Sequence, residues 1–202
     1  MTMMRGMGAF VLAAALAVPA AAADYVWRNV KVGGGGYIPA IVYSKVEKNL
    51  AYLRTDMGGI YRWEAGRQKF LPLEDNIAER NFQGIESIAP DPKEGNVVYA
   101  AIGTYRNGPA AIFRSEDRGD HWTINPVPFR MGGNEEGRDL GERLAVDPNA
   151  TSILYFGSRH DGLQKSTDKG KTWARVASFP HQGLGTPAAH EPTHAGLSFV
   201  VF

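Results

Sequence analysis

The sequence predicts an all-β fold, part of a β-propeller, on three observations. First, residues 115–122 (SEDRGDHW) and 166–173 (STDKGKTW) share the pattern S-x-D-x-G-x-x-W, with Asp117 and Asp168 51 positions apart. A pattern returning at that interval marks one supersecondary unit used repeatedly, as in propeller blades and solenoids. Second, Ile88-Ala89-Pro90-Asp91-Pro92 followed by Val97-Val98-Tyr99 returns as Leu144-Ala145-Val146-Asp147-Pro148 followed by Ile153-Leu154-Tyr155, at a constant offset of 56. Third, glycine is abundant, at 24 of 202 residues, and no long amphipathic helical period follows the N-terminal segment.

In chain order, residues 1–23 read as a signal peptide. Arg5 is the positive start, 9–18 an apolar run, and Ala21-Ala22-Ala23 the cleavage site. Losing that segment leaves a formal net charge of zero, so nothing electrostatic favours nucleic acid or an anionic membrane as partner. The absence of cysteine suits a secreted or periplasmic bacterial protein whose core does without disulfides.

Residues 24–202 then hold three copies of the repeat. The first is worn: Tyr52 and Phe70 precede Tyr155 and Trp173 by 103 positions, but its octapeptide has become Trp63-Glu64-Ala65-Gly66-Arg67-Gln68-Lys69-Phe70. Each copy reads as four short strands in an antiparallel meander, in the third at roughly 143–146, 153–157, 162–166 and 172–177. The stretch 181–194, rich in Pro, Gly, Ala and His, reads as a loop between blades. Residues 196–202 read as the first strand of a fourth blade. Propellers typically carry about four to eight blades, so the chain reads as an incomplete propeller belonging to something longer.

Within each octapeptide the residue types shape one turn. Asp117 and Asp168 accept hydrogen bonds from backbone amides, Gly119 and Gly170 supply positive φ, and Trp122 and Trp173 pack between sheets, with Ser115 and Ser166 opening the pattern. These carboxylates are structural.

Chemistry is expected on the opposite side. In a four-stranded meander the turns between strands two and three share one face with the links between blades. That face collects Thr55-Asp56-Met57-Gly58-Gly59, Thr104-Tyr105-Arg106-Asn107, Arg159-His160-Asp161, the run Gly33-Gly34-Gly35-Gly36-Tyr37 and the link 130–138. Carboxylates, arginines, glycines and aromatics together suit a polyhydroxylated ligand, whose rings stack on aromatic faces while Asp, Asn and Arg bond its hydroxyls. Asp56 is the candidate catalytic carboxylate, its alternative role being to cap its own turn. Tyr37, Tyr61, Trp63, Tyr105 and Arg138 are candidate substrate contacts, the aromatics being equally suited to packing between blades. Glu86 and Glu142 recur 56 positions apart, which argues for a structural role near the ring axis. The histidines show no ligand spacing, so no metal and no cofactor are expected.

Several ordered motifs add a resemblance. Trp27-Arg28-Asn29-Val30 with the glycine run, Arg54-Thr55-Asp56-Met57-Gly58-Gly59-Ile60-Tyr61-Arg62-Trp63, Gly84-Ile85-Glu86-Ser87-Ile88-Ala89, and Gly132-Gly133-Asn134-Glu135 through Gly141-Glu142-Arg143-Leu144-Ala145-Val146-Asp147-Pro148-Asn149 together resemble the N-terminal part of glycoside hydrolase family 74, the xyloglucanases and related endo-β-1,4-glucanases. The octapeptides resemble the Asp-box of BNR-type propellers. The resemblance implies two seven-bladed propellers with a glucan between them, and hydrolysis with inversion by one Asp from each. It assigns Asp56 as general base and leaves the acid to a second propeller missing from this chain, so the 202 residues alone are expected to be inactive. The alternative is a non-catalytic propeller that binds a glycan or a protein. A sialidase-like site finds no arginine cluster and no Tyr nucleophile here.

Overall fold

A computed structural model describes residues 26–180 and 196–202. The expected signal peptide and the loop over 181–194 lie outside these residues. Three sheets follow one another along the chain. Blade one contains β2 (Ala40–Tyr43), β3 (Ala51–Arg54), β4 (Ile60–Glu64) and β5 (Lys69–Pro72) as an antiparallel meander. Blade two contains β6 (Ile85–Pro90), β7 (Val98–Ile102), β8 (Ala110–Ser115) and β9 (Thr123–Val127). Blade three contains β10 (Leu144–Val146), β11 (Leu154–Gly157), β12 (Leu163–Ser166) and β13 (Ala174–Arg175). The repeat therefore has the expected strand order. It is a partial propeller, with inner strands β2, β6 and β10 neighbouring one another.

Two features differ from expectation. Blade one has a fifth strand, β1 (Lys31–Val32), which pairs parallel to the outer strand β5. Two residues carry no period-2 signal, so the sequence could not announce it. Residues 196–202 form no strand. They lie against blade three instead: Val200 N–H donates to Glu142 O at 3.0 Å, Arg143 Nη1 donates to Leu197 O, and the Phe202 and Tyr155 rings are 5.7 Å apart. These backbone bonds go to the Glu142 carbonyl and the Arg143 guanidinium instead of to a neighbouring ladder.

The core lies between blades because both faces of a middle blade are covered, and its strands are apolar throughout. On β7, Val98, Ala100 and Ile102 point toward blade one and join Tyr52, Ile60, Ile88 and Phe113. Tyr99 and Ala101 point toward blade three and join Leu144, Leu154 and Phe156. Trp122 packs into the first of these clusters and Trp173 into the second.

The two octapeptides form matching turns. Ser115 Oγ donates to Asp117 Oδ1 at 2.7 Å and accepts from Gly119 N–H at 2.8 Å; the Ser166 bonds to Asp168 and Gly170 are 2.8 and 2.9 Å. Arg118, Gly119, Lys169 and Gly170 have φ of 62°, 94°, 60° and 79°. Burial raises the Asp117 carboxyl, but the His121 N–H and ring and the Ser115 hydroxyl outweigh it and hold it at about 2. The Thr172 hydroxyl and N–H likewise hold Asp168 at about 2. Both groups therefore contribute stability above the ordinary carboxylate range that is lost as pH falls toward 2. Asp168→Ala is expected to cost about 1–2 kcal/mol at neutral pH and to lessen the acid sensitivity, read from urea unfolding at pH 3 and pH 7. A cost below about 0.3 kcal/mol would deny the turn this role.

Candidate functional site

The turn between β3 and β4 carries Asp56. Thr55 closes it: its N–H and hydroxyl both donate to Gly59 O, at 3.1 and 2.9 Å, and its Oγ1 accepts from Gly58 N–H at 2.7 Å. Asp56 is 6% exposed. Its Oδ1 accepts the Tyr37 N–H at 2.8 Å, and its own N–H donates to Tyr37 O at 3.1 Å. Its Oδ2 faces Arg138 Nε at 3.3 Å, a charge contact whose N–H is not aligned for a hydrogen bond. The same guanidinium lies 5.2 Å over the Tyr37 ring, a cation–π distance. Asp56, Tyr37 and Arg138 are thus brought together from blade one, the N-terminal loop and the link between blades two and three.

Arg54, two residues before Asp56, explains how that distant link is held. Fully buried, it donates to Glu142 Oε1 at 2.6 Å, to Ile85 O at 3.2 Å, and to Arg138 O and Gly141 O at 3.0 and 3.4 Å. In the sequence Arg54 stands out only as part of a motif, and its one signal is that of a charged residue closing a buried strand.

The glycines after Asp56 make room for close packing. A Cβ on Gly58 would stand 2.1 Å from Gly35 O, and one on Gly59, at φ 85°, 2.8 Å from Glu74 Oε2. Glu74 is a buried carboxyl that accepts the Ile60 N–H at 3.1 Å, so it fastens the end of the Asp56 turn.

The other loops expected on this face also meet. Arg130 pairs with Asp161 at 2.9 Å. Glu135 accepts Arg106 N–H at 2.9 Å and lies 3.9 Å from His160 Nε2. Burial raises the Glu135 carboxyl, but His160 and Arg106 outweigh it and hold it below its ordinary value. Tyr105 stands half exposed, its hydroxyl accepting from Asn134 Nδ2 at 3.1 Å. It lines a groove of about 490 Å³ beside Met57. Asn81, which no local sequence pattern singles out, fixes the Tyr105 loop.

Tyr61 and Trp63 are placed elsewhere. Both sit on the outer face of blade one with Leu53 and Phe70, and the Trp63 and Phe70 rings are 5.3 Å apart. Tyr61 is 4% exposed, with its hydroxyl beneath Gly34, so it supports the glycine loop instead of offering a ring face. Residues two apart on a strand share a face, and here that face is the packing one. Among the described residues, no group of three or more His, Asp or Glu side chains is placed to hold a metal ion.

The fold and this loop face define a class: a partial propeller whose buried carboxylate lies beneath a shared, polar and aromatic surface. Known proteins make the class specific. No family model matches the chain. It is 45% identical over 206 residues to a xyloglucanase of a Paenibacillus species, covering 96% of this chain and 20% of that protein. A xyloglucanase of Acetivibrio thermocellus is 49% identical over 167 residues, again over 20% of its length. Among solved structures, the GH74 xyloglucanase of Xanthomonas campestris matches with a TM-score of 0.70 and 45% identity, over 78% of this chain and 23% of that one. Over most of its own length the chain is thus similar to the xyloglucanases of glycoside hydrolase family 74, and it spans about a fifth of the length of the curated relatives it matches.

Proposed function

We propose that this chain forms one wall of a glycoside hydrolase cleft that cleaves the β-1,4-glucan backbone of xyloglucan or a related plant glucan with inversion. The observation that carries the reading is the Asp56 carboxylate, held by the Tyr37 N–H and faced by Arg138, within a chain 45% identical to a xyloglucanase. Inversion needs a base that takes a proton from the attacking water while an acid protonates the leaving oxygen, with the carboxyls about 6.5–9.5 Å apart. Asp56 is the base in this reading. The Tyr37 N–H and Arg138 keep its carboxylate fixed in place, and Arg138 and Tyr37 flank the approaching sugar. The general acid belongs to a second propeller, the partner this wall needs.

A chimaera tests it, with residues 24–202 replacing the matching segment of the Paenibacillus xyloglucanase. Asp56→Asn is expected to lower kcat on xyloglucan by about 10²–10⁴-fold, the usual contribution of a general base, with KM little changed. The first-formed product should be the α-anomer by NMR. Undiminished turnover in the Asp56→Asn chimaera would remove the base from this chain and leave it a binding wall only.

A further inference from the structure

The groove beside the Asp56 turn has features the proposed reaction does not use. It is lined by Met57, Arg80, Gln83 and Tyr105 among others, and its volume of about 490 Å³ admits a sugar ring. Met57 and Tyr105 are 54% and 48% exposed, two apolar surfaces left facing solvent. Tyr105 is nevertheless held firmly. The buried Asn81 donates from Nδ2 to Tyr105 O at 3.2 Å and Pro109 O at 2.7 Å, and accepts Tyr105 N–H at 3.1 Å. Asn81 O also accepts both Thr104 N–H at 2.7 Å and Thr104 Oγ1 at 2.9 Å. The Tyr105 hydroxyl is fixed by Asn134 at 3.1 Å. An exposed ring on a loop tied at five points has met its ordering cost before any ligand arrives. Among the described residues, that ring belongs to no core cluster between the blades.

We propose that this groove is a binding subsite for one neutral pyranose of the glucan, with Tyr105 as the stacking platform. The C–H face of a pyranose would lie against the Tyr105 ring and Met57, with its hydroxyls toward Arg80 and Gln83. Glu79 at the rim offsets the charge of Arg80, which favours a neutral ring over an anionic one. The inference rests on the reading of this face as a glucan wall. A pyranose here is either a backbone glucosyl unit or a xylosyl branch, and the two share the chemistry described.

The test is calorimetric titration of the 202-residue chain with cellohexaose and with the Glc4Xyl3 oligosaccharide of xyloglucan. Tyr105→Ala is expected to weaken binding at least tenfold, equivalent to about 1.4 kcal/mol, and Tyr105→Phe to stay within about threefold, about 0.65 kcal/mol on the same scale. Tyr43→Ala, an exposed tyrosine of the first blade, should change nothing. Binding of both sugars assigns the groove to a backbone unit, and binding of the branched one alone to a branch. If sugar binds and Tyr105→Ala is silent while Tyr37 or Arg138 variants weaken it, the groove proposal falls and the glucan wall stands. If neither sugar binds, both fall together.

Discussion

Glu86→Gln is expected to destabilise the chain by about 3–5 kcal/mol, the cost of leaving a buried counter-charge unpaired. Glu86 is fully buried, forms an ion pair with Arg143 Nε at 2.6 Å, and accepts Arg159 Nε at 2.8 Å and the Gly132 N–H at 2.7 Å. It reaches these partners because it is the extra residue of a β-bulge: Ile85 pairs with Ile102 and Ser87 with Ala101, leaving Glu86 out of the ladder. One carboxylate of blade two thus pairs with two guanidiniums of blade three. Burial pushes Arg143 down to about 10, with Glu86 opposing, so the guanidinium keeps its charge at neutral pH. The amide of Gln preserves shape but not charge, and two buried cations then face each other. Urea unfolding at pH 7 measures the loss. Adding Arg159→Met should recover about 1 kcal/mol or more, since removing both partners of a buried pair costs less than removing one. A loss below about 1 kcal/mol for Glu86→Gln would show the cluster to be well solvated.

How much of this was legible follows from the range of each interaction. The octapeptide turns close within eight residues through Ser115, Asp117, Ser166 and Asp168, so their geometry is written locally. The strand order followed from the repeat, because each copy had to bury the same apolar positions. Asp56 stood out through its motif, and topology placed Tyr37 and Arg138 on its side of the ring. Arg54, Glu74 and Asn81 escaped because their partners lie 14 to 88 positions away and no local pattern links them. Tyr61 and Trp63 were ambiguous for a different reason. Periodicity shows that two residues share a face of a strand but not what covers it; here Tyr61 is buried with Leu53 and Phe70, and Trp63 packs partly buried against them. Recurrence alone marks Glu86 and Glu142 as structural, yet the two act differently. Glu142 bonds Arg54, Ser87 Oγ and the Ile88 N–H, tying blade three to blades one and two.

Glu74→Gln is expected to make the chain more stable at pH 8 by on the order of 4 kcal/mol while leaving it nearly unchanged at pH 4. Burial pushes the Glu74 carboxyl up to about 8, against the single Ile60 N–H that favours its charged form. Its Oε1 has no hydrogen-bond partner among the described residues. The native state therefore keeps the proton up to about pH 8, whereas the unfolded chain releases it near 4.5. Between those values the unfolded state binds fewer protons, so stability falls as pH rises, by about 1.4 kcal/mol per pH unit, and levels off above 8. Gln keeps an oxygen for the Ile60 N–H and has nothing to ionise, so its stability curve should lack that slope. The comparison is urea unfolding of both proteins at pH 4, 6 and 8. Parallel curves would mean that Glu74 is ionised and solvated in the native state. The location gives the slope a functional reach: Gly59 gives way to this carboxyl, and the same turn holds Asp56. Ionising Glu74 puts an uncompensated charge beneath that turn, so loosening at alkaline pH should begin at Gly59 and Ile60. Amide exchange at those two residues, faster at pH 8 than global unfolding allows in the parent and restored in Glu74→Gln, would locate it there.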